Sequence, residues 1–153
     1  MAAGGALNMV TAVLTVPPWL AGAEPAGVLW GKAVCRFYAL GKGRRHVPVR
    51  TEVSATRTAV PGGIEILDDG IRSALADPDS GQVVVISGSL GSVIASGWLD
   101  THGRRADRPD PSRLRFVLLA NPVRGVAHGA VKMDRFNGAP VQPTPTDTEF
   151  IVD

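Results

Sequence analysis

Ser89 stands in the segment Ser87-Gly88-Ser89-Leu90-Gly91, and its neighbours are the kind a nucleophilic serine requires. A hydroxyl works as a nucleophile when a base takes its proton and N–H donors meet the charge that develops on the attacked carbonyl oxygen. In the G-x-S-x-G elbow the serine is held in a strained turn between a strand and a helix. The residues two before and two after it must be small, because the strand and helix backbones pass close together there. Those positions are Ser87 and Gly91, so the pattern is met with one small-for-small departure. The N–H of Leu90 falls at the start of the helix, where it can stabilise an oxyanion. The bland reading is a plain strand–turn–helix with Ser89 as a turn residue or N-cap. Phosphate-binding readings of the same turn are weak. A dinucleotide fingerprint needs a glycine at Ile86, and a Walker loop needs a lysine, of which there is none between Lys42 and Lys132.

Without a base, a serine hydroxyl is a weak nucleophile at neutral pH. The chain has 3 histidines, His46, His102 and His128. His102 follows the helix after Ser89, which puts it at the far end of the sheet. His46 lies in a basic loop, Gly41-Lys42-Gly43-Arg44-Arg45-His46. His128 follows the strand that ends at Asn121 and is the histidine placed toward the same edge as Ser89, although its surroundings also read as a glycine-rich turn. The glycines of the 41–46 loop could supply a second oxyanion donor, and a flexible basic turn is the simpler reading.

The elements that must position Ser89 are legible on both sides of it. Val83-Val84-Val85-Ile86 is an unbroken β-branched run, the pattern of a strand buried on both faces. After the turn, Leu90, Val93, Ile94, Ala95 and Trp98 recur at helical spacing. A second strand follows at residues 114–120 and ends at Asn121-Pro122. Strand, helix, strand makes a parallel βαβ unit, with Ser89 and Asn121 on the carboxyl edge. Upstream, Pro61-Gly62-Gly63 reads as a break. Ile64, Leu67, Ile71 and Leu75 then form the stripe of an amphipathic helix, with Glu65, Asp68 and Asp69 in its first half, where the helix dipole favours them, rather than as a metal pair. Residues 33–40 read as a strand. In the tail, Arg135-Phe136-Asn137-Gly138 suggests a turn, Pro143 and Pro145 exclude a central strand, and residues 149–152 open another strand.

Composition narrows the class. The chain has 153 residues, 44% hydrophobic and 20% charged, enough for a real core in one domain. A net charge of +2 gives no case for nucleic acid. The lone Cys35 excludes a disulfide framework and most cysteine-based metal sites, and its simplest role is that of a small buried hydrophobe. Neither a metal nor a cofactor is expected. Residues 1–29 hold an apolar run at 6–16 and an Ala21-Gly22-Ala23 site, but no Lys or Arg precedes Lys32. They read as a signal peptide or an apolar N-terminal extension, with residues 30–153 as the domain. No stretch is long enough for an integral membrane span. The location is extracellular or the cell envelope if residues 1–23 are a signal, and cytoplasmic if they are not.

The run Gln82-Val83-Val84-Val85-Ile86-Ser87-Gly88-Ser89-Leu90-Gly91-Ser92-Val93-Ile94-Ala95-Ser96, followed by Leu114-Arg115-Phe116-Val117-Leu118-Leu119-Ala120-Asn121-Pro122, resembles the PE-PPE domain. That is a serine α/β-hydrolase domain related to cutinases, found in mycobacterial cell-envelope proteins and some actinobacteriophages. Arg135-Phe136-Asn137-Gly138 fits its arginine-phenylalanine-x-glycine segment, and the likeness spans roughly residues 60–150. The resemblance implies a partial α/β-hydrolase-like, cutinase-like three-layer sandwich with a mainly parallel central sheet. It implies esterase or lipase chemistry on an acyl ester or lipid substrate, with Ser89 as nucleophile and Leu90 in the oxyanion hole. The family's first elbow glycine is Ser87 here. The family's catalytic acid and histidine lie downstream of a segment like residues 149–153, so the resemblance assigns neither in this chain. Two readings follow. One is a serine esterase whose base comes from this chain or a partner. The other is a truncated, inactive hydrolase-like module with a binding or structural role. An unpaired final strand would favour self-association through the sheet edge.

Overall fold

The computed structural model describes residues 10–16, 29–30, 33–34, 44–49, 59–124, 135–136 and 139–153. Strands β1 (Val10–Val16), β2 (Arg44–Pro48), β3 (Ser80–Gly88), β4 (Leu114–Leu119) and β7 (Ile151–Val152) form one sheet. Its order is β2-β1-β3-β4-β7, and each neighbouring pair is parallel. A separate antiparallel pair joins β5 (Arg135–Phe136) to β6 (Ala139–Pro140). The helices are α1 (Ala59–Ala76) and α2 (Leu90–Thr101). Because the sheet is parallel, its carboxyl ends share one edge, where Gly88 pairs with Leu119.

Central β3 needs cover on both faces, and has it. Val83 and Val85 belong to the main core with Leu67, Ile71, Val93, Ile94 and Trp98 of the two helices. Ile86 and Val84 face the other way, in a smaller cluster with Val13, Trp30 and Val34. Alternation along a strand produces this division, and helical residues 29, 30, 33 and 34 supply the third layer.

The two helices interlock at small residues. A Cβ at Gly63 would lie 2.6 Å from Ile94 Cδ1, and one at Gly97 would lie 2.5 Å from Ile64 Cδ1. Each glycine is thus the socket for an isoleucine of the other helix. Later positions of α1 meet later positions of α2, so the helices run in the same direction. Below this contact, Trp98 is fully buried and packs on Phe116 and Phe150, with ring centroids 5.3 and 5.5 Å away.

Several sequence readings change. Residues 10–16, taken as part of a leader or extension, form β1 between β2 and β3. Arg44, Arg45 and His46 belong to strand β2, where pairing with β1 overrides the loop-like composition. Ala33 and Val34 are helical rather than extended; residues 35–43 lie outside the described set. Helix α1 begins at Ala59 and runs through Pro61-Gly62-Gly63. Pro61 sits in the first turn, where a missing N–H costs nothing. Asp68, between the stripe positions, is buried: its carboxylate accepts from Trp98 Nε1 at 2.9 Å and Arg72 Nε at 2.7 Å. Residues 151–152 do form a strand, beside β4.

Candidate active site

The turn between β3 and α2 is one residue long, and that residue is Ser89. Its backbone has φ 49° and ψ −112°, a conformation L residues rarely adopt. Strain of this kind costs about 1–3 kcal/mol and persists only where the surroundings enforce it. Here the enforcement is visible. The Ser89 N–H donates to Leu119 O at 3.0 Å, tying the turn to the end of β4. The Ser89 carbonyl accepts from Ser92 N at 2.9 Å and Val93 N at 3.3 Å, which starts the helix. Gly88 is pressed against an indole: a Cβ there would lie 2.7 Å from Trp30 Cζ2.

Ser89 is exposed, while its neighbours Ser87, Gly88, Leu90 and Gly91 are all buried. Its side chain makes no capping hydrogen bond to α2. The plain N-cap reading is therefore not what the chain adopts. The hydroxyl is held out at the carboxyl edge, and the capping task passes to the backbone. The Leu90 N–H opens α2, and first-turn N–H groups have no acceptor within their own helix. The positive end of the helix dipole lies there too, so negative charge next to Ser89 is favoured.

Across from Ser89, the loop after β4 is pinned to α2 by side chains. Asn121 Nδ2 donates to Thr144 Oγ1 at 2.7 Å, and Ser96 Oγ lies 2.7 Å from the same Thr144 oxygen. Asn121 Oδ1 accepts from Val123 N at 3.1 Å, and Thr144 N donates to Val123 O at 3.1 Å. Asn121 thus sits on the Ser89 edge as its position after β4 predicts. The partners Ser96 and Thr144 were not foreseen. The available signal was Ser92 and Ser96, four residues apart on an otherwise apolar helix.

The histidines divide. His102 stands at the far end of α2, thirteen residues beyond Ser89 and roughly 20 Å along the axis. It is 2% exposed, stacked 6.3 Å from Trp98, with Nε2 3.5 Å from Glu65 Oε2 and 4.0 Å from Asp68 Oδ2. Burial pushes the Asp68 carboxyl up; hydrogen bonds from Arg72 and Trp98 and the charges of His102 and Arg72 outweigh that and bring it below the ordinary carboxylate value. This cluster ties α1 to α2 and lies away from the serine. His46 is two strands from β3, within hydrogen-bond distance of Thr15 Oγ1 at 2.8 Å. His128 lies outside the described residues. Among the described residues, no group of three or more His, Cys, Asp or Glu is placed to hold a metal ion, and no helix is long and apolar enough to cross a membrane.

A five-stranded parallel sheet covered by helices places this chain in the cutinase-like α/β-hydrolase class of folds. Two solved structures share it. Lysin B from mycobacteriophage D29 superimposes with a TM-score of 0.53 at 20% identity, over 79% of this chain and 50% of lysin B. A cutinase-like protein from Cryptococcus sp. superimposes with a TM-score of 0.57 at 15% identity, over 94% of this chain and 75% of that protein. The chain thus spans half the length of lysin B. No family model and no curated protein matches the sequence.

Proposed function

We propose that this chain is a serine esterase of the PE-PPE and cutinase-like kind, acting on acyl esters. The observation that supports it most is the Ser89 backbone, which holds an exposed hydroxyl, uncommitted to capping, beside the first N–H groups of a helix. In this reading Ser89 Oγ attacks the ester carbonyl carbon while a base takes the hydroxyl proton. The tetrahedral oxyanion is met by the N–H of Leu90, and the alcohol leaves with the proton returned by the base. The acyl-serine then reacts with water by the same two steps. His128 is the base we assign, since it follows β4 in sequence and both described histidines lie elsewhere. The test is hydrolysis of short- and medium-chain nitrophenyl esters by the wild type and Ser89→Ala. Loss of at least about a thousandfold in kcat/KM in the variant is expected for removal of a nucleophile.

The position of His46 and His102 favours one alternative, a hydrolase-like module that binds without turning over. In that case a folded wild type hydrolyses no faster than Ser89→Ala. Should the wild type be active, His128→Ala is expected to fall toward the Ser89→Ala rate; an unchanged His128→Ala rate would move the base to another residue or to a partner.

A further inference from the structure

The Leu119 carbonyl sits between two strained residues. In the β3–β4 register Gly88 faces Leu119, so the next residue on each strand is Ser89 on one and Ala120 on the other. Both have positive φ, 49° at Ser89 and 47° at Ala120. Outside glycine such backbone is unfavourable, and two cases side by side require a common restraint. The restraint converges on Leu119 O. It accepts the Ser89 N–H at 3.0 Å and the Ser92 hydroxyl at 3.0 Å. A carbonyl oxygen has two lone pairs, and both are engaged.

The direction of the chain follows from proton count. Ser92 is fully buried, and its single O–H is donated to Leu119 O. Toward Ser87 Oγ, 3.3 Å away, the Ser92 oxygen can only accept. Ser87, also fully buried, is therefore the donor. Hydroxyl runs to hydroxyl runs to carbonyl: Ser87 to Ser92 to Leu119. This also accounts for the departure from glycine at position 87, since the extra hydroxyl is absorbed by a buried partner instead of being left unsatisfied.

Resting on the esterase reading, we propose that Ser92 is a positioning residue for the nucleophile. Its hydroxyl fixes the Leu119 carbonyl, and that carbonyl fixes the backbone N–H of Ser89. The direction of the Ser89 hydroxyl and of the Leu90 N–H follows from that backbone. Ser92 touches no substrate and acts through Leu119. Reaction geometry is steep in distance, and a displacement near 1 Å costs about a hundredfold in rate.

The test compares Ser92→Thr, which keeps the hydroxyl, with Ser92→Val, which has the same shape without it. Any strain from the added methyl is common to both. Two readouts are taken on the full chain: hydrogen exchange of the Ser89 amide by NMR, and kcat and KM on p-nitrophenyl butyrate. In Ser92→Val the Ser89 amide is expected to exchange at least about tenfold faster than in Ser92→Thr, and kcat to fall about ten- to hundredfold with KM little changed. In Ser87→Ala, which removes only the outer hydroxyl, both changes are expected to be smaller. Equal amide protection in the Thr and Val variants overturns the proposal. So does a larger loss in Ser87→Ala than in Ser92→Val, which would place the anchor at Ser87. A wild type inactive on the ester defeats the esterase reading instead, and the exchange arm still decides whether Ser92 holds the turn.

Discussion

One serine among several differs from the rest in burial and backbone. Ser87, Ser92 and Ser96 are fully buried, whereas Ser89 is exposed. Its left-handed backbone and uncommitted side chain follow from a one-residue turn between a buried strand and a buried helix. Gly88 makes that turn feasible, because Trp30 occupies the space a side chain would take. Gly88→Ala is expected to destabilise the fold by about 1–3 kcal/mol, the usual cost of forcing atoms into a packed site. Chemical denaturation measures it, and an unchanged midpoint would remove Trp30 from the account. The elbow was legible in the sequence because its requirement is chemical and local: small residues at fixed offsets around a serine after a β-branched run. The residues that hold it were not. Ser92 meets Leu119 only through the register of β3 on β4, and Ser96 meets Thr144 only through the return of the tail, so the spacing of the two serines hints at buried polar partners without naming them.

Helix α1 and helix α2 form the element that carries the serine, and two contacts fix them. The first is the reciprocal fit of Ile94 at Gly63 and Ile64 at Gly97. Helix propensity alone would make Gly63→Ala stabilising by about 1 kcal/mol. The buried Ile94, whose Cδ1 and Cγ1 would lie 2.6 and 3.0 Å from the new Cβ, reverses the sign. Gly63→Ala is expected to cost about 1–3 kcal/mol by overpacking. Adding Ile94→Val removes the clashing methyl, so the double variant should recover part of the loss. Strict additivity in that cycle would contradict the interlock. The second contact is Asp68 with Trp98 and Arg72. Its carboxyl lies below the ordinary value of 3.8, so the charged form is the one the fold binds. The stability it contributes is fully present above pH 3.8 and is lost as pH falls through its lowered folded value. Thermal unfolding of Asp68→Asn against wild type should show a gap that is present above that pH and closes below it. A gap that widens with acid would contradict the assignment. The amphipathic stripe of α1 announced a helix from sequence, yet it did not reveal the partners of Asp68. A single acidic residue among exposed ones gives no sign that a tryptophan thirty positions later will need an acceptor.

For the whole molecule, the tail is what closes the fold on α2. Phe150 is 4% exposed and wedges edge-on against Trp98 and Phe116. The ion pairs beside it, Arg104 with Asp147 and Arg108 with Glu149, lie at the surface. Apolar burial should dominate, so Phe150→Ala is expected to cost about 3–5 kcal/mol while Arg104→Gln leaves the melting temperature nearly unchanged. The parallel sheet was foreseeable from the alternation of strand and helix. The place of residues 10–16 inside it was not, because a short apolar run reads equally well as a leader or as a buried strand. On the esterase reading, this architecture presents Ser89 as a nucleophile. The most direct measurement is intact-protein and peptide mass spectrometry after treatment of the folded chain with a fluorophosphonate. One adduct per chain is expected, on Ser89, absent in Ser89→Ala and suppressed by prior heat denaturation. No adduct on the folded protein, or an adduct on another residue that survives Ser89→Ala, would contradict it.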